Sequence, residues 1–131
     1  MDRTIELTKD NFQKIIDEND VVFVDFWASW CGPCMQFKPV FEEASGNFEN
    51  AVFGKVNTEE QPELAAAFGI RSIPTLMAFR EKVMLFNQPG ALPPPVFNKL
   101  VNQVLDIDME EVHAKIAEQE AAEGKPEDAS N

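Results

Sequence analysis

VVFVDFWASWCGPCMQF, residues 21–37, joins an apolar run to the only two cysteines of the 131-residue chain. The run VVFVDFWA is nearly continuous and rich in β-branched and aromatic residues, which is typical of a strand that is covered on both faces. The residues after it repeat apolar side chains at helical spacing, with Pro39 inside the pattern, where a kink is expected. This stretch therefore predicts a buried strand followed by a helix, with both thiols at the point where they join.

Segments of strand and helix character alternate on both sides of this stretch. The predicted order is β-α-β-α-β-α-β-β-α, and the last two strands form a hairpin that turns near Glu81-Lys82. Because these residues are not an Asn-Gly type pair, the sequence leaves the register of the hairpin open. Strands separated by helices predict an α/β fold, with a central mixed sheet flanked by helices on both faces. The last predicted helix is expected to turn five apolar residues inward: Val96, Leu100, Val101, Val104 and Leu105.

A change of composition predicts one domain over residues 1–105 and an acidic C-terminal extension over residues 106–131. The extension holds nine acidic and two basic residues, so most of the net charge of −12 lies in it. Its first part, MEEVHAKIAEQEAA, has apolar residues at helical spacing, and a short helix is expected at about residues 109–122. The small polar residues that follow are typical of a disordered tail.

The charge and the apolar segments argue against several classes of function. A net charge of −12 repels phosphates, so neither nucleic acid nor an anionic membrane surface is an expected partner. No apolar stretch approaches the length of a membrane-spanning helix, and MDRTIELTKD at the N-terminus lacks the pattern of a signal peptide. A cytoplasmic location is therefore expected, where thiols are kept reduced and structural disulfides are uncommon.

The residues alone leave several interpretations of Cys31 and Cys34. Zinc needs three or four protein ligands, and besides the two thiols the chain has one histidine, His113, which lies in the extension about 80 residues after the thiols. That distance along the chain also disfavours a cysteine–histidine nucleophile. Inert buried thiols are a further interpretation, which Gly32 and Pro33 argue against, because they shape a turn that leaves the first sulfur accessible. The spacing favours a redox-active dithiol without a metal.

The predicted position of the thiols gives the redox interpretation a physical basis. Cys31 falls after the carboxyl end of a strand, at the N-terminus of a helix, where free N–H groups and the helix dipole stabilise a thiolate. Lowering a thiol pKa from about 8.5 to about 7 corresponds to roughly 2 kcal/mol and makes about half of the thiol anionic at pH 7. Cys34, one turn further and deeper, is suited to attack a mixed disulfide formed by Cys31.

Asp25 is a candidate acceptor for the proton of Cys34. Its carboxyl lies in the apolar run VVFVDFWA, and burial raises the pKa of a carboxyl towards the range that is useful for acid–base catalysis. The alternative is a carboxylate satisfied by a helix N-terminus or by a lysine. The dithiol six residues away favours the acid–base role.

Beyond these inferences, the sequence resembles the thioredoxin family. The match rests on VDFWASWCGPC, the proline at position 39, GKVN, FGIRSIPTL and PGALP, all in family order and spacing across residues 1–105. The resemblance implies the thioredoxin fold. It also implies that Cys31 attacks and Cys34 resolves, that Asp25 is the buried acid and that Lys55 lies near it.

Further roles follow from the same resemblance. Pro74 matches a cis-proline beside the dithiol, so a cis Ile73-Pro74 bond is expected. Taken alone, this proline would indicate only a strand start, Gly90 a turn and Lys55 a surface charge. A flat apolar surface for docking disulfide-bearing partners is implied for seven residues: Trp30, Gly32, Pro33, Ile73, Pro74, Gly90 and Ala91. Many members of the family have lysine after the second cysteine, where this chain has Met35.

The resemblance implies a monomeric protein-disulfide oxidoreductase that works in electron transport and cell redox homeostasis. It would bind no cofactor itself. Oxidised disulfide-bearing proteins would be its targets, and a thioredoxin reductase that uses NADPH and FAD would return its electrons. Two other classes remain open: a binding module in which the thiols are incidental, and an oxidant or isomerase. The Gly-Pro pair between the cysteines resembles the reducing branch of the family.

Overall fold

The computed structural model describes residues 2–123. Its elements are β1 (Ile5–Glu6), α1 (Phe12–Glu18), β2 (Val21–Trp27), α2 (Gly32–Asn47), β3 (Val52–Asn57), α3 (Pro62–Ala67), β4 (Thr75–Arg80), β5 (Val83–Pro89), α4 (Pro94–Asp106) and α5 (Met109–Glu123). The predicted order of strands and helices is confirmed. Pro39 lies inside α2, as expected.

The five strands form one mixed sheet in the order β1-β3-β2-β4-β5. β3 pairs in parallel with both β1 and β2, whereas β4 is antiparallel to β2 and to β5. The run that was predicted to be covered on both faces is the central strand β2, and it is buried over residues 21–26. Its carboxyl end leads to the two cysteines.

Each face of the sheet has its own apolar core, as expected for helices on both sides. One core contains aromatic side chains of the sheet and of two helices: Phe23, Phe53, Phe37 and Phe41 of α2, and Phe97 of α4. The other packs Phe12 and Ile16 of α1 against the opposite side of β2 and β4. Because side chains alternate along a strand, Asp25 lies on the same face of β2 as Phe23, the face that α2 covers.

The inward face of α4 differs in part from the expectation. Val96 was predicted to point inward, but it is 49% exposed, and Phe97 next to it is fully buried. The buried stripe is Phe97, Val101 and Val104, which follows the i, i+4, i+7 spacing of one helix face. Val96 lies beside that stripe, so this prediction was wrong by one position. Leu100 and Leu105 pack partly buried against the core.

The hairpin between β4 and β5 is closed by Glu81 and Lys82, as predicted. Arg80 pairs with Val83, so the loop has two residues, and both have positive φ, 49° and 71°. This is the conformation of a type I′ turn, which bends strands with the correct twist but is usually made by Asn and Gly. The Glu81 amide donates a hydrogen bond of 2.8 Å to the Asp20 carbonyl, which ties the turn to the loop before β2. A register shift between Ala78 and Phe79 also marks the hairpin.

The extension begins with helix α5, close to the range expected for it. Met109 at its start is 5% exposed and therefore packs against the domain. The Arg80 guanidinium holds the chain before α5, because its Nη1 donates to the carbonyls of Val104, Leu105 and Ile107 at 2.8–3.1 Å. The expected disordered tail lies outside the described residues, and the division at residue 105 stays a prediction.

In the described part of the chain, none of the helices combines the length and the apolar character needed to cross a membrane.

Candidate active site

The two cysteines lie where β2 ends and α2 begins. Cys31 is the N-cap of α2, with extended backbone at φ −90° and ψ 113°, and Pro33 stands in the first turn. The Cys34 amide donates to Cys31 Sγ at 3.2 Å, so the sulfur receives one of the free N–H groups of the helix N-terminus. The two sulfurs are bonded as a disulfide, with the Cα atoms 5.2 Å apart. The arrangement places both sulfurs where they can form one disulfide.

The exposure of the two thiol positions differs less than expected. Cys31 is 5% exposed and Cys34 is 1% exposed, so the predicted accessible first sulfur is largely covered in this disulfide form. The cause is its surroundings, since Cys31 Sγ is bonded to Cys34 and lies 3.6 Å from the Ile73 carbonyl oxygen. Cys31 remains the more exposed of the two.

The surface around the disulfide is apolar and partly open. Trp30 is 69% exposed, Met35 is 37% exposed, and Gly32 and Pro33 are also at the surface. Beneath them, Ala28 packs with both cysteines, and Trp27 and Ile73 complete the cluster. An exposed indole next to a buried disulfide is a surface that a protein partner can cover.

The loop before β4 lies beside the disulfide, and its expected cis bond is confirmed. The Ile73-Pro74 peptide is cis, and the Pro74 carbonyl accepts a hydrogen bond of 2.8 Å from the Gly90 amide. Gly90 has φ 112°, a conformation that favours glycine. Gly90 is therefore more than an ordinary turn residue, because its amide binds the loop that contains the cis-proline. The structure thereby brings Ile73, Pro74 and Gly90 to one place. Ala91, also exposed, follows directly.

Asp25 is buried under the second cysteine. It is 1% exposed, and burial raises the pKa of its carboxyl to about 7, against a smaller opposing effect of the Lys55 charge. A small pocket, of a size for about one water molecule, is lined by Asp25, Cys34 and four neighbours: Trp27, Met35, Lys38 and Lys55. Asp25 Oδ1 has no hydrogen-bond partner among the described residues. A buried carboxyl next to Cys34 can exchange a proton with its thiol when the disulfide is reduced.

Lys55 does not satisfy Asp25, although the two residues are directly opposite each other on β3 and β2. Its Nζ lies 2.9 Å from Oε2 of Glu42 on α2, and 6.0 Å from the centroid of the Trp27 ring. Lys38 reaches the same Glu42 oxygen at 3.7 Å. The sequence analysis missed Glu42. Its spacing could have indicated it, because Cys34 and Glu42 are eight residues apart, on the same face of α2.

The structure separates His113 from the thiols. His113 Nε2 lies 2.6 Å from Glu81 Oε1 at the hairpin turn. That turn follows Arg80, which pairs with Val21 at the start of β2, whereas the cysteines follow the end of β2. His113 and the disulfide therefore lie near opposite ends of the central strand β2. Within residues 2–123, no group of three or more His, Cys, Asp or Glu side chains could hold a metal ion.

The chain is similar to thioredoxins in sequence and in structure. The sequence profile described as Thioredoxin matches residues 3–103. A protein from Streptomyces coelicolor that is named as a thioredoxin 2 is 54% identical over 124 residues, which are 95% of this chain and 92% of the relative. A thioredoxin from Chlorobaculum thiosulfatiphilum is 42% identical over 100 residues, 75% of this chain and 93% of the relative.

Solved structures give the same result. A mutant thioredoxin from Halobacterium salinarum superposes with a TM-score of 0.74 at 27% identity, and the match covers 80% of this chain and 93% of that one. Plasmodium falciparum thioredoxin superposes with a TM-score of 0.70 at 32% identity, covering 76% of this chain and 97% of that one. The predicted fold is confirmed.

Proposed function

The chain belongs to the thioredoxin family and is a disulfide oxidoreductase, and on that premise we propose that it works as a protein-disulfide reductase. The observation that carries the proposal is the position of Cys31, at the N-cap of α2 and in bonding contact with Cys34. The helix N-terminus stabilises a thiolate at Cys31 in the reduced form, and a thiolate is the attacking species in thiol–disulfide exchange.

In the first step, the Cys31 thiolate attacks one sulfur of a target disulfide. A bond forms between Cys31 and that sulfur, the target disulfide breaks, and the second target sulfur leaves as a thiolate that takes a proton from water. The exposed Trp30, Gly32 and Pro33, together with the Ile73-Pro74 loop, Gly90 and Ala91, would hold the target during this step. The exposure of Trp30 and its place beside the disulfide support that role.

In the second step, Cys34 resolves the mixed disulfide. Asp25 accepts the proton of the Cys34 thiol, directly or through a water in the small pocket between them. The Cys34 thiolate then attacks Cys31 Sγ, the Cys31–Cys34 disulfide forms, and the target leaves as a second thiolate. The second target thiolate takes up a proton and Asp25 gives up the one it accepted. Counting the proton that Cys31 released to water when it ionised, the target disulfide has gained two electrons and two protons, and the dithiol of this chain has lost the same.

Turnover requires that the disulfide be reduced again. We assign this step to a flavin-containing thioredoxin reductase that takes its electrons from NADPH, with this chain as a monomeric carrier in the cytoplasm. The support is the family membership and the Gly-Pro pair between the cysteines, which resembles the reducing branch. The chain itself needs no bound cofactor for either exchange step.

Reduction of insulin by the protein, with dithiothreitol as electron source, tests this function. Wild type should accelerate insulin reduction, and Cys31→Ser should abolish the acceleration, because no thiolate remains to attack. Pre-reduced Cys34→Ser, mixed with insulin after dithiothreitol has been removed, should instead accumulate a mixed disulfide, visible on a non-reducing gel. Ser29→Ala, at an exposed position in the same loop, serves as the matched control and should keep full activity.

Two outcomes would contradict the proposal. Equal insulin reduction by wild type and Cys31→Ser would remove the reductase function, and retained cellular activity of a Cys31→Ser, Cys34→Ser double variant would then favour a binding module. Equilibration with glutathione separates a reductase from an oxidant. A potential of about −120 mV, as for strong protein oxidants, would overturn the reducing direction.

A further inference from the structure

Lys55 could pair with either of two carboxylates close to the dithiol. Asp25 lies directly opposite it on the neighbouring strand, on the face of the sheet that α2 covers. Glu42 reaches it from α2, and the ion pair is made with Glu42, at 2.9 Å. Both partners of this pair are largely shielded from solvent, with side-chain exposures of 19% for Lys55 and 22% for Glu42. Solvent screening is therefore weaker for this pair than for an exposed one.

We propose that Glu42 is a positioning residue for the resolving step: its carboxylate holds the Lys55 ammonium away from Asp25, so that Asp25 stays free to take the proton of Cys34. The inference rests on the proposed role of Asp25 as the proton acceptor. Glu42 would act through Lys55 and Asp25 and would not touch the reacting sulfurs.

Glu42 acts on the pKa of Asp25 through Lys55. An ammonium that paired with Asp25 would stabilise the carboxylate and lower its pKa by about 1–3 units, which makes it a weaker base. By binding Lys55, Glu42 offsets this effect. Loss of the Glu42 charge releases the Lys55 ammonium, which can then approach Asp25, and should therefore lower the pKa of Asp25.

Other charged groups lie near Lys55 and Glu42 and also affect how strongly these two residues interact. Lys38 binds the same Glu42 oxygen at 3.7 Å from one helical turn away, which helps to fix the carboxylate. Glu6 of β1 is opposite Lys55 in the sheet, and Asp2 has its pKa lowered mainly by hydrogen bonds from Thr4, with smaller contributions from Lys55 and Lys38. Asp2 and Glu6 are exposed, so water screens them, and they can take over only part of the role of Glu42.

The titration of Asp25 itself provides the test. The oxidised full chain is labelled with carbon-13 at the aspartate carboxyls, and the Asp25 signal, assigned by its loss in Asp25→Asn, is followed between pH 4 and 10. Glu42→Gln should lower the titration midpoint of Asp25 by about one pH unit. Glu42→Asp, which keeps the charge, should stay close to wild type. Glu43→Gln, which removes an exposed charge next to it on the same helix, should leave the midpoint unchanged.

The resolving step gives a second readout. Reduced protein is mixed with a small aromatic disulfide at a concentration where closure of the Cys31–Cys34 bond is the slower step, and closure is followed by tryptophan fluorescence. Glu42→Gln should slow closure about threefold, as expected for a weaker base, while Glu43→Gln should not. Asp25→Asn should slow it further.

The outcomes separate the inference from the function on which it rests. An Asp25 midpoint in Glu42→Gln equal to that of wild type and Glu43→Gln would overturn the positioning role of Glu42 and leave the reductase mechanism intact. Closure at the wild-type rate in Asp25→Asn would overturn the role of Asp25, and the inference with it.

Discussion

At the scale of single residues, the site is built from groups whose charge is controlled by their place in the fold. Cys31 lies at a helix N-terminus, which favours a thiolate, and Asp25 lies in a buried strand, which favours a neutral carboxyl. The environment of Cys31 favours the thiolate that attacks, and the environment of Asp25 brings its pKa close to neutral pH, where its carboxylate can accept a proton and release it again.

The raised pKa of Asp25 makes a prediction about stability. Its folded-state pKa of about 7 lies above the ordinary value of 3.8, so between these pH values the folded state binds more protons than the unfolded state. The free energy of unfolding should therefore decrease as the pH rises through this window, by up to about 4 kcal/mol above pH 7. Asp25→Asn removes the titration, so this variant should gain stability relative to wild type as the pH rises.

Urea unfolding of the oxidised proteins at pH 4, 6 and 8 measures this difference. The stability of Asp25→Asn minus that of wild type should grow between pH 4 and pH 8. A difference that is constant across this range would show that the carboxyl does not titrate with a raised pKa.

At the scale of elements, Arg80 at the end of β4 connects the sheet to the last two helices. Its guanidinium donates to three carbonyls at the end of α4 and in the segment leading to α5. These groups belong to a helix C-terminus, where carbonyls lack partners within the helix and a cation is favoured by the dipole. We therefore interpret Arg80 as the residue that ends α4 and directs the chain into α5.

Replacing Arg80 by methionine should lower the free energy of unfolding by about 2–3 kcal/mol, because the carbonyls of Leu105 and Ile107 lose the guanidinium donor and that of Val104 keeps only the Ile107 amide, at 3.4 Å. It should also speed proteolysis near Ile107. Lys99→Met, at an exposed position on α4, is the matched control and should change stability by less than about 0.5 kcal/mol. Urea unfolding and limited proteolysis measure the two effects, and wild-type behaviour of Arg80→Met in both would contradict this interpretation of Arg80.

Local sequence patterns predicted the features of the fold that depend on neighbouring residues in the chain. The apolar run around Asp25, the CGPC turn and the order of the elements were all readable, because burial on both faces and helix starts leave local signatures. The first inward residue of α4 was predicted at Val96, but it is Phe97. The rotation of a short helix about its axis depends on the position and direction in which the preceding loop enters it. The hairpin turn was located, although its backbone conformation was not.

At the scale of the whole molecule, the missed features are contacts between residues far apart in sequence. Glu42 pairs with Lys55 across α2 and β3, and Arg80 reaches carbonyls more than twenty residues away. Which of these residues pair depends on how the helices and strands pack together. The sequence therefore suggested that Lys55 lies near Asp25, but it did not show that Lys55 forms an ion pair with Glu42. The sheet brings the disulfide, the Ile73-Pro74 loop and Gly90 to one edge, where a target can meet all of them.

The ionisation of Cys31 in the reduced protein decides whether this residue can be the attacking thiolate. The rate of its alkylation by iodoacetamide, measured as a function of pH with Cys34→Ser to isolate one thiol, reports the thiolate fraction. We expect a midpoint at about pH 7, well below the ordinary thiol value of about 8.5. A midpoint at or above 8.5, or a thiol that the reagent cannot reach, would contradict it.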